Sequence, residues 1–370
     1  MNIVLLSNHW YPSPRKAGFH HLANAWHAQG HSITFATVGF SWLSYARRDF
    51  RSRYPGIWQA RNSMQAIAPG LDSYVHFTPL HPHTTLLSRA DRLLAPWMDR
   101  YDRYSLGQLR QRIQDADVLV YESNAALFLV RLCRALAPQA RHIYRVSDDI
   151  RTMRSTPSRM VALEQELASE FSLISVPCAP LAEKFPGLST VRVQHHGLDK
   201  AVFDACSANP FAQGTSNAVF CGLGFYDAEA VHHMAEQCQN VDFHILGIAR
   251  PRKNIPAHVI YYGEIPFEKT IPFIKFASCG LYTLHASSRP MSAYTDSLKI
   301  MQYRYCGLPI VAPDFIDLHR DGVFYYTPGN APSCCASLQR ALQHGSNADF
   351  SREVRTWNEV AAEILATSAK

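Results

Sequence analysis

Hydrophobic and polar positions follow the same pattern in two successive blocks of the chain, with short apolar runs separated by amphipathic stretches. Apolar runs of about six residues are typical of buried parallel strands, and the stretches between them have helical spacing. The first block predicts strands at 2–7, 33–38, 117–123 and 142–148, with a helix at 18–29 that ends at Gly30. The second block predicts strands at 218–223, 242–247, 259–264, 279–284 and 309–313. Strands that alternate with helices indicate an α/β fold with a parallel sheet in each block.

The boundary between the blocks is predicted near 197–215, where the pattern restarts and a polar segment contains proline and glycine. We therefore predict Rossmann-like domains at 1–205 and 206–349. The remaining 350–370 should form a helix with an apolar stripe that packs back across both domains. Two such domains with parallel sheets facing a central cleft form the GT-B architecture of nucleotide-sugar transferases. Some epimerases and phosphorylases share this architecture, so the fold alone does not define the function.

Composition narrows the class of protein. The 370 residues are 47% hydrophobic and 18% charged, which is typical of a globular protein rather than a disordered one. No apolar run approaches the ~20 residues of a membrane-spanning helix, and the first residues lack the features of a signal peptide. The nine cysteines are scattered without a CxxC pair, which indicates reduced thiols in the cytoplasm and argues against a structural zinc site.

Charge is distributed unevenly along the chain. Residues 1–140 contain 15 Lys+Arg and 8 Asp+Glu, a balance of 15 − 8 = +7, whereas the whole chain sums to +6. The N-terminal half is therefore expected to contact something anionic. Phospholipid headgroups and nucleic acid are both candidates on charge alone.

Two segments, 40–58 and 86–104, mix aromatic and aliphatic side chains with arginines, as in proteins that bind membrane surfaces. The candidate membrane-surface residues are Trp42, Arg47, Arg48, Leu93, Leu94, Trp97 and Arg100. Aromatic residues among arginines also bind single-stranded nucleic acid, although we consider this less favoured. The plainest alternative is a pair of surface helices whose aromatic residues enter the core.

A helix predicted at 297–305 combines features of an anion site. Thr295, Asp296 and Ser297 are good N-cap residues, and Lys299 and Gln302 share the face near its start. Free N–H groups at a helix N-terminus, with a hydroxyl and a lysine, would bind a diphosphate. The alternative is an ordinary capped helix with a solvent-facing lysine.

Acidic and basic residues follow the predicted strands of the first block. Asp148 and Asp149 come at the end of strand 142–148, at the sheet edge where ligands of α/β proteins bind. One of them could remove a proton from an acceptor hydroxyl, or simply cap the next helix. Arg15 and Lys16 follow the first strand and Glu122 lies on strand 117–123, so they are candidates for acceptor or phosphate contact. A solvated basic turn is the alternative for Arg15 and Lys16.

Several segments together resemble glycosyltransferase family 70, the GumK-like glucuronosyltransferases of xanthan assembly. The resemblance runs from the first strand to about Gly329. It is carried by PRKAGFHH (14–21), DVLVYES (117–123), YRVSD (144–148), HGLD (196–199), YGE (262–264), the 297–303 helix with GLP (307–309), and YTPGNA (326–331).

The resemblance implies an inverting GT-B enzyme that needs no metal or other cofactor. Such enzymes transfer glucuronate from UDP-glucuronate to a polyprenyl-diphosphate-linked saccharide at the cytoplasmic face of the inner membrane. It also implies that Asp148 is the catalytic base, that Lys299 and Gln302 bind the nucleotide, and that Ser297 lies near the diphosphate. Glu264 would lie near the nucleoside.

The chain departs from the family pattern at four positions. Gly224 and Leu298, which we assign to the donor site, stand where the family has methionines. Leu284 stands in place of an aromatic residue and Asp149 in place of a glycine.

The sequence predicts a peripheral membrane glucuronosyltransferase whose partners are a UDP-sugar, a lipid-linked acceptor and an anionic membrane, not nucleic acid. A UDP-sugar epimerase and a nucleic-acid-binding protein remain the alternatives.

Overall fold

The computed structural model describes residues 1–153, 156–222, 224–252, 255–285, 297–316, 318 and 320–367. The chain forms two α/β units. The first comprises Met1–His195 together with the residues from Asn358 onward, and the second comprises His196–Trp357. The second unit begins ten residues before the predicted position 206, because Leu198 and Phe203 are buried in its hydrophobic core. It also extends past 349, since Val354 is buried in the same core.

The first unit is built on an eight-stranded sheet in the order β3-β4-β2-β1-β5-β6-β7-β8. All neighbouring strands are parallel except β3 and β4. The strands are β1 (Asn2–Ser7), β2 (Ser32–Ser41), β3 (Met64–Ala68), β4 (Leu71–Thr78), β5 (Val118–Glu122), β6 (Arg141–Arg145), β7 (Leu173–Val176) and β8 (Val191–Val193). Its central strands are buried along nearly their whole length, as expected for a parallel sheet covered on both faces.

In the described part of this unit, seven helices lie between the strands. They are α1 (Gly18–Ala28), α2 (Trp42–Ala46), α3 (Ser88–Met98), α4 (Leu109–Gln114), α5 (Val130–Leu136), α6 (Ser158–Leu167) and α7 (Ala179–Ala182). Short 3-10 turns occur between them, among them Phe50–Arg53, Ala125–Leu129 and Ile150–Thr152. Among the described residues, no helix is long and apolar enough to cross a membrane.

The second unit contains a six-stranded parallel sheet in the order β11-β10-β9-β12-β13-β14. The strands are β9 (Ser216–Cys221), β10 (Val241–Leu246), β11 (Val259–Gly263), β12 (Cys279–Leu281), β13 (Ile310–Pro313) and β14 (Val323–Tyr326). The helices are α8 (Lys200–Asp204), α9 (Ala228–Gln237), α10 (Phe267–Lys275), α11 (Leu298–Tyr305) and α12 (Ala331–His344). Ala218 and Phe220 on β9 pack in one hydrophobic cluster and Val219 in another. Alternate residues of a strand thus fill two cores, one on each face of the sheet.

The C-terminal segment differs from the single helix predicted at 350–366. A 3-10 turn (Ala348–Glu353), capped by the side chain of Asn347, is followed by extended backbone at Val354. A second helix, α13 (Trp357–Ala366), then begins. The continuous-helix prediction was wrong because Leu198 pairs with Thr356 in an isolated bridge, which requires extended backbone there. The predicted apolar stripe at Val354, Trp357, Val360 and Ile364 is nevertheless buried.

Candidate active site

The carboxyl ends of β1, β5 and β6 lie side by side in the first sheet, and the loops that follow them surround a pocket. The pocket has a volume of about 350 Å³. Asp148 lines it, together with the predicted residues Glu122 and Arg15. Ligand-site residues are expected to gather at the carboxyl edge of a parallel sheet. In the structure, these three side chains do lie around one cavity at that edge.

Glu122, the last residue of β5, connects the three loops. Its Oε2 accepts hydrogen bonds from Ser7 Oγ (2.5 Å), Asn124 Nδ2 (2.7 Å) and the Asn8 N–H (3.3 Å). Its Oε1 accepts one from Ser147 Oγ at 3.1 Å. Glu122 is only 5% exposed, so most of its hydrogen-bonding capacity serves the protein. This geometry supports a role of Glu122 in holding the pocket's loops, and its contact with an acceptor stays a prediction.

Asp148 follows β6 on a loop that Ser123 secures. The backbone N–H groups of Ser147 and Asp148 donate to Ser123 Oγ at 3.1 and 3.2 Å. The Asp148 side chain is open to solvent through the pocket, yet it is surrounded by the protein atoms of the pocket walls. This enclosure, and then the negative charges of Glu122 and Asp149, raise the pKa of Asp148 to about 6. Such a carboxylate is ionised at neutral pH but accepts a proton more readily than an ordinary aspartate.

Asp149 has the other role that the sequence allowed. Its carboxylate accepts from the Arg151 N–H at 3.1 Å and thereby caps the 3-10 turn Ile150–Thr152. Asp149 is buried, with 2% of its surface exposed. Burial alone would raise the pKa of Asp149, but hydrogen bonds from Arg151 and the charge of Lys184 hold it below its usual value. Of the two acids, only Asp148 lines the pocket.

The two basic residues predicted after β1 have different surroundings. Arg15 lines the pocket, and its guanidinium carbon lies 4.9 Å from the centre of the Phe50 ring. Lys16 is exposed and donates from Nζ to the Tyr11 carbonyl at 2.9 Å, and it does not line the pocket. Arg15 is thus placed to meet a pocket ligand, whereas Lys16 supports the adjoining turn.

Among the basic and histidine side chains that line the pocket, His9, Arg51 and His81 were not predicted to contact a pocket ligand, although Arg51 belongs to the basic segment 40–58. Arg51 is 6% exposed and donates to the carbonyls of Asn8 and Gly39, both at 2.8 Å. Burial and the neighbouring Arg51 lower the pKa of His81 to about 3, so it is neutral at physiological pH. His9 could have been found, because it follows β1 at the carboxyl edge. Arg51 and His81 come from segments whose path over the sheet the sequence pattern does not reveal.

A second candidate site lies at the start of α11 in the second unit. Ser297 is the N-cap residue, but its Oγ is buried and has no hydrogen-bond partner among the described residues. Thr295 and Asp296, the other predicted N-cap residues, lie outside the described residues. An unpaired hydroxyl beside the free N–H groups of a helix start is suited to an anion.

Lys299, in the first turn of α11, is a cation without an acidic partner in the described part of the chain. Its Nζ lies 4.5 Å from the centre of the Phe220 ring and 5.2 Å from that of Tyr282. Burial lowers the pKa of Lys299 to about 8. A Cβ added at Gly222 would lie 2.6 Å from Nζ, so a larger residue at this position would displace the ammonium group.

The remaining predicted donor-site residues lie at the same edge of the second sheet or near it. Glu264 is exposed and directly follows β11, Gln302 is half-buried on α11, and Leu298 is half-buried as its first residue. Gly224 is exposed in the loop after β9. Leu284 is buried and forms an isolated bridge with Tyr226. Thus the structure places Gly222 against Lys299 in the first turn of the helix that Ser297 begins, while Glu264 and Gln302 stay predicted nucleotide contacts.

The predicted membrane-surface residues differ in exposure. Leu93 is 82% exposed and Trp42 is 54% exposed, whereas Leu94 and Trp97 are half-buried. Arg47, Arg48 and Arg100 are exposed. Leu86 and Leu87, which the sequence interpretation did not name, are 73% and 67% exposed. Arg47 Nη1 donates to the Thr84 carbonyl at 3.0 Å, which links segment 40–58 to the residues just before segment 86–104.

The fold matches those of solved nucleotide-sugar transferases. Anabaena HepE, solved in complex with UDP and glucose, has a TM-score of 0.63 and 14% sequence identity and covers 99% of this chain and 100% of its own. Sucrose-phosphate synthase from Thermosynechococcus elongatus has a TM-score of 0.62 and 11% identity and covers 100% of this chain and 95% of its own. The predicted GT-B fold is therefore confirmed.

Sequence comparison gives a more specific similarity than the fold. The family model "Glucuronosyltransferase GumK, N-terminal domain" matches residues 5–177. The UDP-glucuronate:glycolipid 2-beta-glucuronosyltransferase of Xanthomonas campestris pv. campestris is 27% identical over 341 residues, which are 92% of this chain and 84% of that protein. The resemblance to GumK-like glucuronosyltransferases that we inferred from the motifs is therefore confirmed.

Proposed function

We propose that this chain is an inverting, metal-independent glucuronosyltransferase that transfers glucuronate from UDP-glucuronate to a polyprenyl-diphosphate-linked saccharide of a bacterial exopolysaccharide. The position of Asp148 in the first unit's pocket is the observation that carries the proposal. Its neighbours raise its proton affinity without neutralising it at physiological pH. The similarity to a glycolipid glucuronosyltransferase supports the choice of donor and of acceptor class.

Asp148 is proposed as the general base. As the acceptor hydroxyl attacks the anomeric carbon, its proton passes to the Asp148 carboxylate, and the new glycosidic C–O bond forms. The bond between the anomeric carbon and the UDP oxygen breaks on the opposite face, so the configuration inverts. UDP leaves with the electron pair of the broken bond. Glu122 supports this step by holding the Ser147–Asp148 loop through its hydrogen bond from Ser147.

Charge that develops on the leaving diphosphate is proposed to be offset at the start of α11. The Lys299 ammonium, the Ser297 hydroxyl and the free N–H groups of the helix are the available donors. Lys299 is held against two aromatic rings and has no carboxylate to compete with a diphosphate, among the residues described. Gln302 and Glu264 are the proposed contacts to the rest of the nucleotide, with Leu298 and Gly224 beside it.

The exposed leucines and arginines of the first unit are proposed to rest on the cytoplasmic face of an anionic membrane. Leu86, Leu87 and Leu93 present apolar surface, and Arg47, Arg48 and Arg100 would meet lipid phosphates. A lipid-linked acceptor confined to the same surface has a high local concentration, which favours its encounter with Asp148.

Asp148→Asn tests the proposal. The amide keeps the size of the side chain but cannot take a proton, so release of UDP from UDP-glucuronate in the presence of a glycolipid acceptor should fall by about two to four orders of magnitude. UDP affinity measured by calorimetry should be unchanged. Near-normal transfer by the variant would rule out Asp148 as the base. With no acceptor present, UDP-glucuronate should be recovered unchanged, since interconversion of the sugar would indicate an epimerase.

A further inference from the structure

Asp148 and Asp149 are neighbours in sequence but have opposite environments. Asp148 lines the pocket, whereas the Asp149 carboxylate is buried with 2% of its surface exposed. The Asp149 backbone is extended, with φ −76° and ψ 100°, and consecutive side chains of extended backbone point to opposite sides. One short loop therefore presents one carboxylate to the pocket and the other to the protein interior.

The buried carboxylate of Asp149 has two cationic partners. Arg151 donates from Nη2 to Asp149 Oδ2 at 2.7 Å and from Nε to Oδ1 at 2.9 Å. Lys184, whose side chain is fully buried, places Nζ 3.2 Å from Asp149 Oδ1. Arg151 is 46% exposed, so water weakens its contribution, and Lys184 is the partner inside the protein.

Lys184 also joins Asp149 to the strand and helix beneath the pocket. Its Nζ lies 3.0 Å from Glu164 Oε1, and both of these side chains are fully buried. Glu164, on α6, accepts a second hydrogen bond from Tyr144 Oη on β6 at 2.6 Å. The chain Asp149–Lys184–Glu164–Tyr144 thus ties the Asp148 loop back to the strand from which it emerges.

We propose that Asp149 is a positioning residue for transfer: its buried carboxylate anchors the loop that carries Asp148, and its charge, partly balanced by Lys184, keeps Asp148 a strong proton acceptor. This inference rests on the proposed function, in which Asp148 takes the acceptor proton. Of the four residues in this network, Asp149 alone is adjacent to Asp148 in sequence. The effect therefore depends on the fold and not on local sequence alone.

Charges on all sides of Asp148 enter the argument. Glu122 on β5 and Asp149 are negative, and Lys184 and Arg151 are positive. The pocket also presents His9, Arg15, Arg51 and His81. Glu122 and Asp149 raise the pKa of Asp148 and Lys184 lowers it, after the larger effect of the enclosing pocket walls. Without the negative charge of Asp149, the positive charges of Lys184 and Arg151 are less compensated. The pKa of Asp148 should therefore fall.

Direct titration of Asp148 tests this coupling independently of enzyme activity. In protein labelled with ¹³C at the aspartate carboxyl carbons, the resonance that disappears in Asp148→Asn identifies Asp148. Its midpoint should lie near pH 6 in the wild type. In Asp149→Asn, which keeps the Lys184–Glu164 pair, the midpoint should fall by about one pH unit. An unchanged midpoint in the folded variant would overturn the proposal.

Asp72→Asn is the matched control. Asp72 is also an arginine-paired aspartate of the first unit, 2.6 Å from Arg112 Nη2, but it lies near the start of β4. Its loss should leave the Asp148 midpoint unchanged. A second variant, Glu164→Gln with Lys184→Met, removes one charge of each sign and retains Asp149 with Arg151. Because Lys184 lowers the pKa of Asp148, this variant should raise the midpoint, which decides the question even if Asp149→Asn does not fold.

Transfer kinetics give the second readout. The acid limb of the kcat/KM profile should move with the Asp148 midpoint in Asp149→Asn, while KM for UDP-glucuronate is unchanged. A loss of kcat that is uniform across pH, with a stationary limb, would indicate a merely structural role and contradict the proposal. If the midpoint shifts while wild-type protein transfers no sugar, the charge coupling stands and the proposed function fails.

Discussion

Two residues at the start of α11 in the second unit lie in environments that lower the stability of the folded protein. Lys299 is the clearest case, because its ammonium is desolvated and has no carboxylate partner among the residues described. A buried cation without a counter-ion costs free energy of folding. Ser297 repeats the pattern on a smaller scale, since its buried Oγ has no hydrogen-bond partner within the described ranges. Both costs would be offset when an anion binds between them.

Lys299→Met should therefore separate binding from stability. We expect UDP to bind about 10- to 100-fold more weakly, as for loss of one charge-assisted contact, while the melting temperature without ligand stays equal or rises. In the wild type, UDP affinity should fall as the pH rises above about 8, because the ammonium form is then lost. The variant should lack this dependence.

Isothermal calorimetry at several pH values and differential scanning calorimetry provide these measurements. Arg340→Gln removes an exposed cation from α12 of the same unit and is the control, with UDP affinity unchanged. Full UDP affinity in Lys299→Met would show that the lysine does not meet the diphosphate.

At the scale of elements, sequence pattern predicts several buried strands well but misses others, among them the fully buried four-residue β7. β1 and β5 are continuous apolar runs, and both were predicted within one residue at each end. β3 and β4 mix polar and apolar positions, and β8 has only three residues, so none of them gives a period that stands out. Such segments form strands because they pair with neighbouring strands in the folded protein, and the local sequence pattern does not show this pairing.

Site residues were predicted where they follow a predicted strand and missed where they lie on a segment without a clear pattern. Asp148 and Glu122 could be found because they end buried parallel strands, where the carboxyl-edge rule applies. Arg51 could not, since the 3-10 turn Phe50–Arg53 that carries it is defined by its contacts with the Asn8 and Gly39 carbonyls. The sequence does not distinguish an arginine that becomes buried from the other arginines of a basic, aromatic segment.

The segment around α3 should bind membranes through its exposed leucines. Replacing Leu86, Leu87 and Leu93 with serine should reduce flotation with vesicles of phosphatidylcholine and phosphatidylglycerol, by about tenfold in affinity per leucine. A higher salt concentration should weaken the binding of wild-type protein to these vesicles, because exposed arginines flank the leucines.

Ile67→Ser is the matched control for this experiment. Ile67 is an exposed apolar residue of the same unit, 41% exposed on the edge strand β3, and its loss should leave flotation unchanged. Wild-type protein that stays at the bottom of the gradient, or a triple variant that floats equally well, would contradict the membrane proposal. Binding to single-stranded nucleic acid in a gel-shift assay would favour the alternative partner.

At the scale of the whole molecule, each unit carries its own candidate site at the carboxyl edge of its own parallel sheet. The first unit supplies a carboxylate in a pocket, and the second supplies an ammonium and a helix start. This division matches the chemistry of group transfer, in which one partner must lose a proton and the other must accept negative charge. Neither half is sufficient for the proposed reaction.

Transfer should proceed without divalent metal and with inversion. Because Lys299 and the α11 N–H groups are proposed to stabilise the leaving diphosphate, treatment with EDTA should leave the rate of UDP release within about twofold. Proton NMR of the product should show a β-linked glucuronate formed from the α-linked donor. Activity that is lost with EDTA and restored by Mg²⁺ would refute the metal-independent mechanism, and an α-linked product would refute direct displacement.

The last helix gives the first unit a discontinuous boundary. Trp26 Nε1 donates to the Ala361 carbonyl at 2.9 Å, and Arg141 donates to the carbonyls of Leu365 and Thr367, each at 2.6 Å. A nonsense codon or a proteolytic cut shortly before Asn358 would therefore uncover an indole that lies over three hundred residues upstream. The N-terminal fragment alone should aggregate, and a synthetic peptide spanning α13 should restore its solubility by reoccupying the vacated groove.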